Sequence, residues 1–162
     1  MSGIVVTDQR WAPLFSQWLS ERFTGEVRLD PTTTRFIAYV LEGESEPEIL
    51  TVAAFSNWQR GSVEVTLATD GSKRQKASRA FIYTCFDFAF NHCGKSRLSC
   101  HSRVDNIKSH AVQEMLGLTR VALLKDHYGE DEDAYLYGIT KREWLAGPWA
   151  LPPVNSTAQQ EA

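Results

Sequence analysis

The sequence predicts a mixed α/β chain of the α+β kind: a mostly antiparallel sheet, one central parallel pair splayed at a crevice, and flanking helices. Three observations carry this. Three strand-like runs, 35–41, 49–55 and 62–68, follow one another with short polar connections, as in consecutive antiparallel strands. The third run feeds a basic loop, a wide-faced amphipathic helix and a fourth strand (97–103). That crossover forces strands 62–68 and 97–103 to lie parallel, adjacent or splayed. Two last strand-like runs, 119–124 and 134–140, complete the sheet.

The elements follow in order. Ile4-Val5-Val6 is a short strand, and Thr7 or Asp8 stands where a helix cap belongs. Trp11, Leu14, Phe15, Trp18, Leu19 and Phe23 recur at helical spacing and predict a helix over 9–23 whose aromatic stripe packs on the core. Residues 25–34 are irregular. The acidic linker 42–48 joins two strands as a solvated hairpin loop, and 56–61 is a turn.

After the basic loop a helix is expected over 76–92. Ala77, Phe81, Cys85 and Phe88 form its stripe, Ile82, Phe86 and Ala89 broaden it, and Gly94 ends it. Asp105 or Asn106 caps the next helix, which Gly117 terminates. The acidic stretch 125–133 reads as a loop, and Glu143-Trp144-Leu145 closes the fold. One domain over 1–146 is expected, followed by a flexible proline-, serine- and glutamine-rich tail over 147–162.

Composition narrows the function. The chain has 162 residues, 43% hydrophobic and 23% charged, which suits one globular domain with its own core. A net charge of −3 argues against a general nucleic-acid binder, whose footprint is basic. No apolar run is long enough to span a bilayer, and the N-terminus lacks a signal-peptide pattern, so no membrane partner is expected. Cys85, Cys93 and Cys100 form an odd set without metal-type spacing. His92 and His101 stand beside two of them, which suggests a metal or a thiolate nucleophile. The plainer reading is small apolar residues buried in the core of a reduced, cytoplasmic protein. No metal is expected.

The strand–loop–helix junction at 67–78 brings free backbone N–H groups and a positive helix end to one spot, which suits a phosphate or pyrophosphate. From this point the chain resembles the Gcn5-related N-acetyltransferase (GNAT) superfamily, in particular the ribosomal-protein N-terminal acetyltransferase branch. The resemblance spans roughly residues 35–145. It rests on Phe88-Ala89-Phe90 before a strand, then Asn106, Ser109, Leu116-Gly117-Leu118 and Glu143-Trp144, in that order and spacing. Small proteins of this kind also occur in bacteriophage genomes.

The resemblance implies acetyl-CoA as acyl donor, held by Leu67, Ala68, Lys73, Arg74, Gln75, Lys76, Ala77, Ser78, Asn106 and Ser109. The acceptor is an amine: a protein N-terminus, a lysine, a small amine or a modified nucleobase. Glu64 is the first candidate for the base that deprotonates it, His101 the second, and Tyr128 or Tyr135 a substitute acid. Asn57 and Trp58, at the turn entering the central strand, are expected to shape the acceptor site.

Two departures stand out. The family's pyrophosphate loop carries glycines so that the backbone can approach the phosphates. Here Lys73 and Gln75 occupy those positions, and Lys73, Arg74 and Lys76 offer side-chain cations instead. A plain solvated basic turn is the alternative. Second, the tyrosine that many members use as general acid is replaced by Gln113, whose amide cannot supply a proton at neutral pH. Both departures suit a second reading as well, a non-catalytic binding or assembly module on the same fold. Use of another acyl donor is a third.

Overall fold

The computed structural model describes residues 3–23, 29–72 and 78–153. Its strands are β1 (Gly3–Val6), β2 (Arg35–Leu41), β3 (Glu48–Ser56), β4 (Ser62–Thr69), β5 (Arg97–Arg103), β6 (Thr119–Gly129) and β7 (Glu132–Thr140). Its helices are α1 (Ala12–Phe23), α2 (Arg79–Asp87), α3 (Ile107–Met115) and α4 (Lys141–Ala146). The seven strands form one sheet in the order β1-β2-β3-β4-β5-β7-β6, and every neighbouring pair is antiparallel except β4–β5.

The sheet separates two cores because strand side chains alternate between faces. On β3, Val52 and Ala54 face α1 with Phe36 and Ala38, while Ala53 and Phe55 face α2 with Ile37 and Val63. All are fully or almost fully buried, so β3 reads as a continuous apolar run. α1 places Phe15 and Leu19 on the first core. The helix expected over 9–23 is a 3₁₀ turn, Gln9–Trp11, followed by α1, and its aromatic stripe is narrower than the spacing suggests, since Trp11 in the turn and Leu14 are exposed.

The second core is larger. α2 delivers Phe81, Cys85 and Phe86, and the helix continues into a single wide turn over Phe88–His92 with i→i+5 bonding. There Cys93 N–H donates to the Phe88 carbonyl at 2.9 Å. The widening keeps Ala89 and Phe90 fully buried, and Gly94 then takes a left-handed φ of +65°. Phe86 stacks on Trp144 at 6.0 Å and Phe90 packs against it tilted at 5.4 Å, so the closing Glu-Trp segment is a core element. Thr140 and Glu143 cap α4 reciprocally, and the Thr140 hydroxyl holds the Glu143 carboxyl below its usual range.

The structure differs from the sequence reading at three places. The acidic stretch 125–133 is a hairpin, not an open loop: β6 runs to Gly129 and β7 starts at Glu132. The carboxylates shape its turn, since Asp133 Oδ1 accepts from Asp126 N–H and Asp126 Oδ1 from Asp131 N–H, at 2.9 and 2.8 Å. Asp126 and Asp131 both take positive φ, which aspartate tolerates. Second, Pro148–Ala150, assigned above to the flexible tail, form a 3₁₀ turn whose Trp149 packs on the second core. Third, α2 begins at Arg79 behind Ser78, whose Oγ caps it by accepting from Phe81 N–H at 3.2 Å. The expected start at 76 falls in 73–77, outside the described residues.

Candidate active site

The parallel ladder between β4 and β5 is only three pairs long: Ser62–Arg97, Val63–Leu98 and Glu64–Ser99. Beyond Glu64, β4 stays paired to β3, and β5 beyond Ser99 stays paired to β7. The two central strands therefore diverge while each keeps its outer partner. A cavity of about 320 Å³ fills the gap. Val65–Leu67 and Cys100–Arg103 form its strand walls, and α2 and α3 close it on their side of the sheet.

The cavity reaches both faces of the sheet. On the α2/α3 face it is mostly apolar, with Phe81, Ile82 and Leu98, and carries a polar patch of Ser102, Ser109 and Gln113 besides Asn106 at the start of α3. Gln113 Nε2 donates to Ser109 Oγ at 3.1 Å and to Ser102 Oγ at 3.4 Å, while its buried Oε1 has no partner. On the α1 face, strand alternation brings out His101 and Arg103, with Tyr128 from β6 and Arg22 and Phe23 from the end of α1.

Glu64, His101 and Tyr128 share that second face, whereas Tyr135, the other candidate acid, packs on the opposite core with its ring 5.3 Å from His110 of α3. Glu64 closes the ladder, and its side chain points away from the core that holds Val63. His101 lies edge-on to His127, with ring centroids 4.3 Å apart, and 6.0 Å from Tyr128. Burial lowers the His101 pKa most, the neighbouring His127 lowers it further, and the Glu64 carboxylate opposes both. His101 is thus held neutral near pH 7 with a carboxylate close by. His127 is the residue that sequence reasoning missed. It was read as part of an acidic loop because Asp126 and the charges beyond it hide the continuing strand period.

The donor-side residues divide. Leu67, Asn106 and Ser109 line the cavity. Ala68 does not: it pairs with Val52 and packs on the α1 core, the opposite face from Leu67. Ser78 is buried in its capping role. Lys73, Arg74, Gln75, Lys76 and Ala77 lie outside the described residues. Asn106, at the mouth, is the cap of α3, its Oδ1 accepting from Ser109 N–H at 3.2 Å, so the cap falls to Asn106 and not to Asp105. Asp105 instead lies 3.5 Å from Arg103.

Asn57 and Trp58 are set apart from this cavity. Their turn precedes Ser62, at the paired end of β4–β5, whereas the gap opens only after Glu64. Asn57 takes the left-handed φ of +49° that the turn needs. Trp58 donates to the Thr33 carbonyl at 2.8 Å and lines a separate, wider cleft with Arg35 and Asp87. Burial, and then Glu64, push the Cys100 thiol up to about 12, and burial raises those of Cys85 and, against Lys95 and Arg35, the half-buried Cys93, which disfavours a thiolate at any of them. Among the described residues no group of three or more His, Cys, Asp or Glu lies placed to hold a metal ion.

No protein-family model and no curated protein matches the chain. Solved structures do. The ribosomal-protein-S5-alanine acetyltransferase from Vibrio fischeri superposes with a TM-score of 0.66 at 17% identity, over 89% of this chain and 96% of that one. Mutant forms of the spermidine/spermine N-acetyltransferase SpeG from Vibrio cholerae give 0.63 at 14%, over 90% and 98%. An acetyltransferase of the GNAT family from Bacillus anthracis gives 0.55 at 19%, over 66% of each chain. The fold is a splayed α/β sheet shared with acetyltransferases. It is the GNAT fold, as the sequence resemblance implies.

Proposed function

We propose that the chain transfers an acetyl group from acetyl-CoA to an amine. The observation that carries this is the gap between β4 and β5, which joins a mostly apolar pocket on one face of the sheet to His101 and Tyr128 on the other, with the Glu64 carboxylate acting on His101 from the end of the ladder. A thioester threaded from the α2/α3 side presents its carbonyl to an amine arriving from the α1 side.

The reaction forms a C–N bond to the acetyl carbon and breaks its C–S bond. The amine must be neutral to attack, and an alkylammonium of pKa about 10 is not. Neutral His101, with the Glu64 carboxylate to stabilise its charged form, takes that proton. Backbone N–H groups of β4 past Glu64 that face the gap have no strand opposite them and can donate to the developing oxyanion. The thiolate leaves without a dedicated acid, as a thiol of pKa about 8.5 allows near neutral pH. Lys73, Arg74 and Lys76 take the pyrophosphate by charge in place of glycine backbone.

Mixing the protein with acetyl-CoA and a panel of amines, and reading free thiol release, tests this. Amine-dependent release is expected, falling 10²-fold or more in His101→Gln with acetyl-CoA affinity kept. Binding without release for any amine returns the chain to a binding module. No binding of acetyl-CoA in calorimetry removes the acyltransferase reading altogether.

A further inference from the structure

The polar patch in the apolar half of the cavity has no role in the chemistry above. Gln113 is about nine-tenths buried, yet its Oε1 meets no donor. A buried acceptor without a partner weakens a fold and is retained where something else supplies the hydrogen. Its position is not slack. Ser102 on β5 and Ser109 on α3 both accept from Nε2, which fixes the carboxamide plane from two elements at once. α3 itself is pinned to β5, since the His110 ring and the Arg103 carbonyl lie 2.9 Å apart. The amide edge is therefore presented to the cavity by a rigid frame.

We infer that Gln113 binds the acyl donor, its Oε1 accepting a hydrogen bond from a secondary-amide N–H of the pantetheine arm. The inference rests on the acetyl-CoA reading and deepens it. The wall around Gln113 is mostly apolar, and among the described residues the side-chain acceptors lining the α2/α3 face are this carboxamide, the two serines that hold it and Asn106, whose Oδ1 is already engaged by the Ser109 N–H. An amide-bearing arm is thereby favoured over an all-carbon thioester. The same placement explains why a glutamine can stand where a proton donor is not needed: it recognises the carrier, and the thiolate leaves unassisted.

Gln113→Met keeps the volume and removes the acceptor. Acetyl-CoA affinity in calorimetry is expected to fall about tenfold, with the unliganded melting temperature kept or raised. kcat at saturating donor should change little, since the contact is made before and during transfer alike. The donor supplies the second arm of the test. The loss in kcat/KM should recur with S-acetylpantetheine, which keeps the amides but not the nucleotide, and vanish with S-ethyl thioacetate, which has none. Ser109→Ala, which frees the carboxamide without removing it, should give a smaller loss in the same direction. Affinity within twofold of the parent in Gln113→Met, or an equal loss with S-ethyl thioacetate, overturns the inference while leaving the acyltransferase intact. Failure of the unaltered protein to bind acetyl-CoA takes both down together.

Discussion

Asn106 sits at the cavity mouth and caps α3 through the hydrogen bond from Ser109 N–H, so one side chain serves stability and lines the site. Asn106→Ala is expected to cost about 1 kcal/mol in urea unfolding. Asn106→Asp keeps the accepting oxygen and should restore it, and if the lost amide N–H also serves the donor, affinity will stay reduced in that variant. An alanine variant as stable as the parent would mean that Asp105 takes over the cap. His101 makes a second prediction at this scale. Its pKa in the fold is depressed by burial and by His127, so between that value and the unfolded value of about 6.5 the unfolded chain binds the extra proton. Stability contributed by neutral His101 is present above about 6.5 and is lost as pH falls through the folded pKa. His101→Gln should flatten that part of the stability–pH curve, and an unchanged slope would place the titration elsewhere.

Elements were legible in the sequence wherever local chemistry was consistent with the fold. The continuous apolar runs of β2 and β3, the alternation along β4 and β5, Gly94 and Gly117 at helix ends, and the Glu143-Trp144 closure all state their structure locally. The parallel pairing of β4 with β5 followed from the crossover alone. What was hidden depends on contacts distant in sequence. Ala68 and Leu67 are neighbours that part to opposite cores, and Trp58 is close to the central strand in sequence but belongs to another cleft. His127 became visible only once its strand did. The 3₁₀ turn after α4 belongs here too. Trp149 Nε1 donates to the Met115 carbonyl at 3.1 Å, the Arg79 guanidinium lies 5.1 Å from its ring, and Arg79 also donates to the Pro148 carbonyl. These contacts tie residues 148–150 to α2 and α3, the helices that wall the cavity. Trp149→Ala should therefore cost roughly 1–3 kcal/mol by the apolar area lost, read from chemical denaturation. No change would return residues 148–153 to the status of a tail.

At the scale of the whole molecule, the sheet is two antiparallel halves, β1–β4 with α1 and β5–β7 with α3 and α4, joined through three parallel pairs and α2. Between them the ladder is missing where the cavity lies. On the proposed function, a pantetheine arm in the gap would offer amide groups to the open strand edges as well as to Gln113, much as an added strand does. Donor binding should thus act on the seam between halves as well as on the site. Acetyl-CoA at about 100 times its Kd is expected to add about 2.7 kcal/mol to unfolding stability. Local protection should be uneven: amide hydrogen exchange should slow most at 65–67 and 100–103, and little at β1 or at the turn 56–61 around Trp58. If Lys73, Arg74 and Lys76 hold the pyrophosphate by charge, as proposed, the affinity behind this shift should weaken as salt rises, and replacing all three by alanine should remove most of that salt dependence while the protection pattern persists. Protection spread evenly over the sheet would mean that the ligand stabilises globally without entering the gap. Protection centred on 56–61 would move the donor to the Trp58 cleft and leave the β4–β5 cavity to the acceptor.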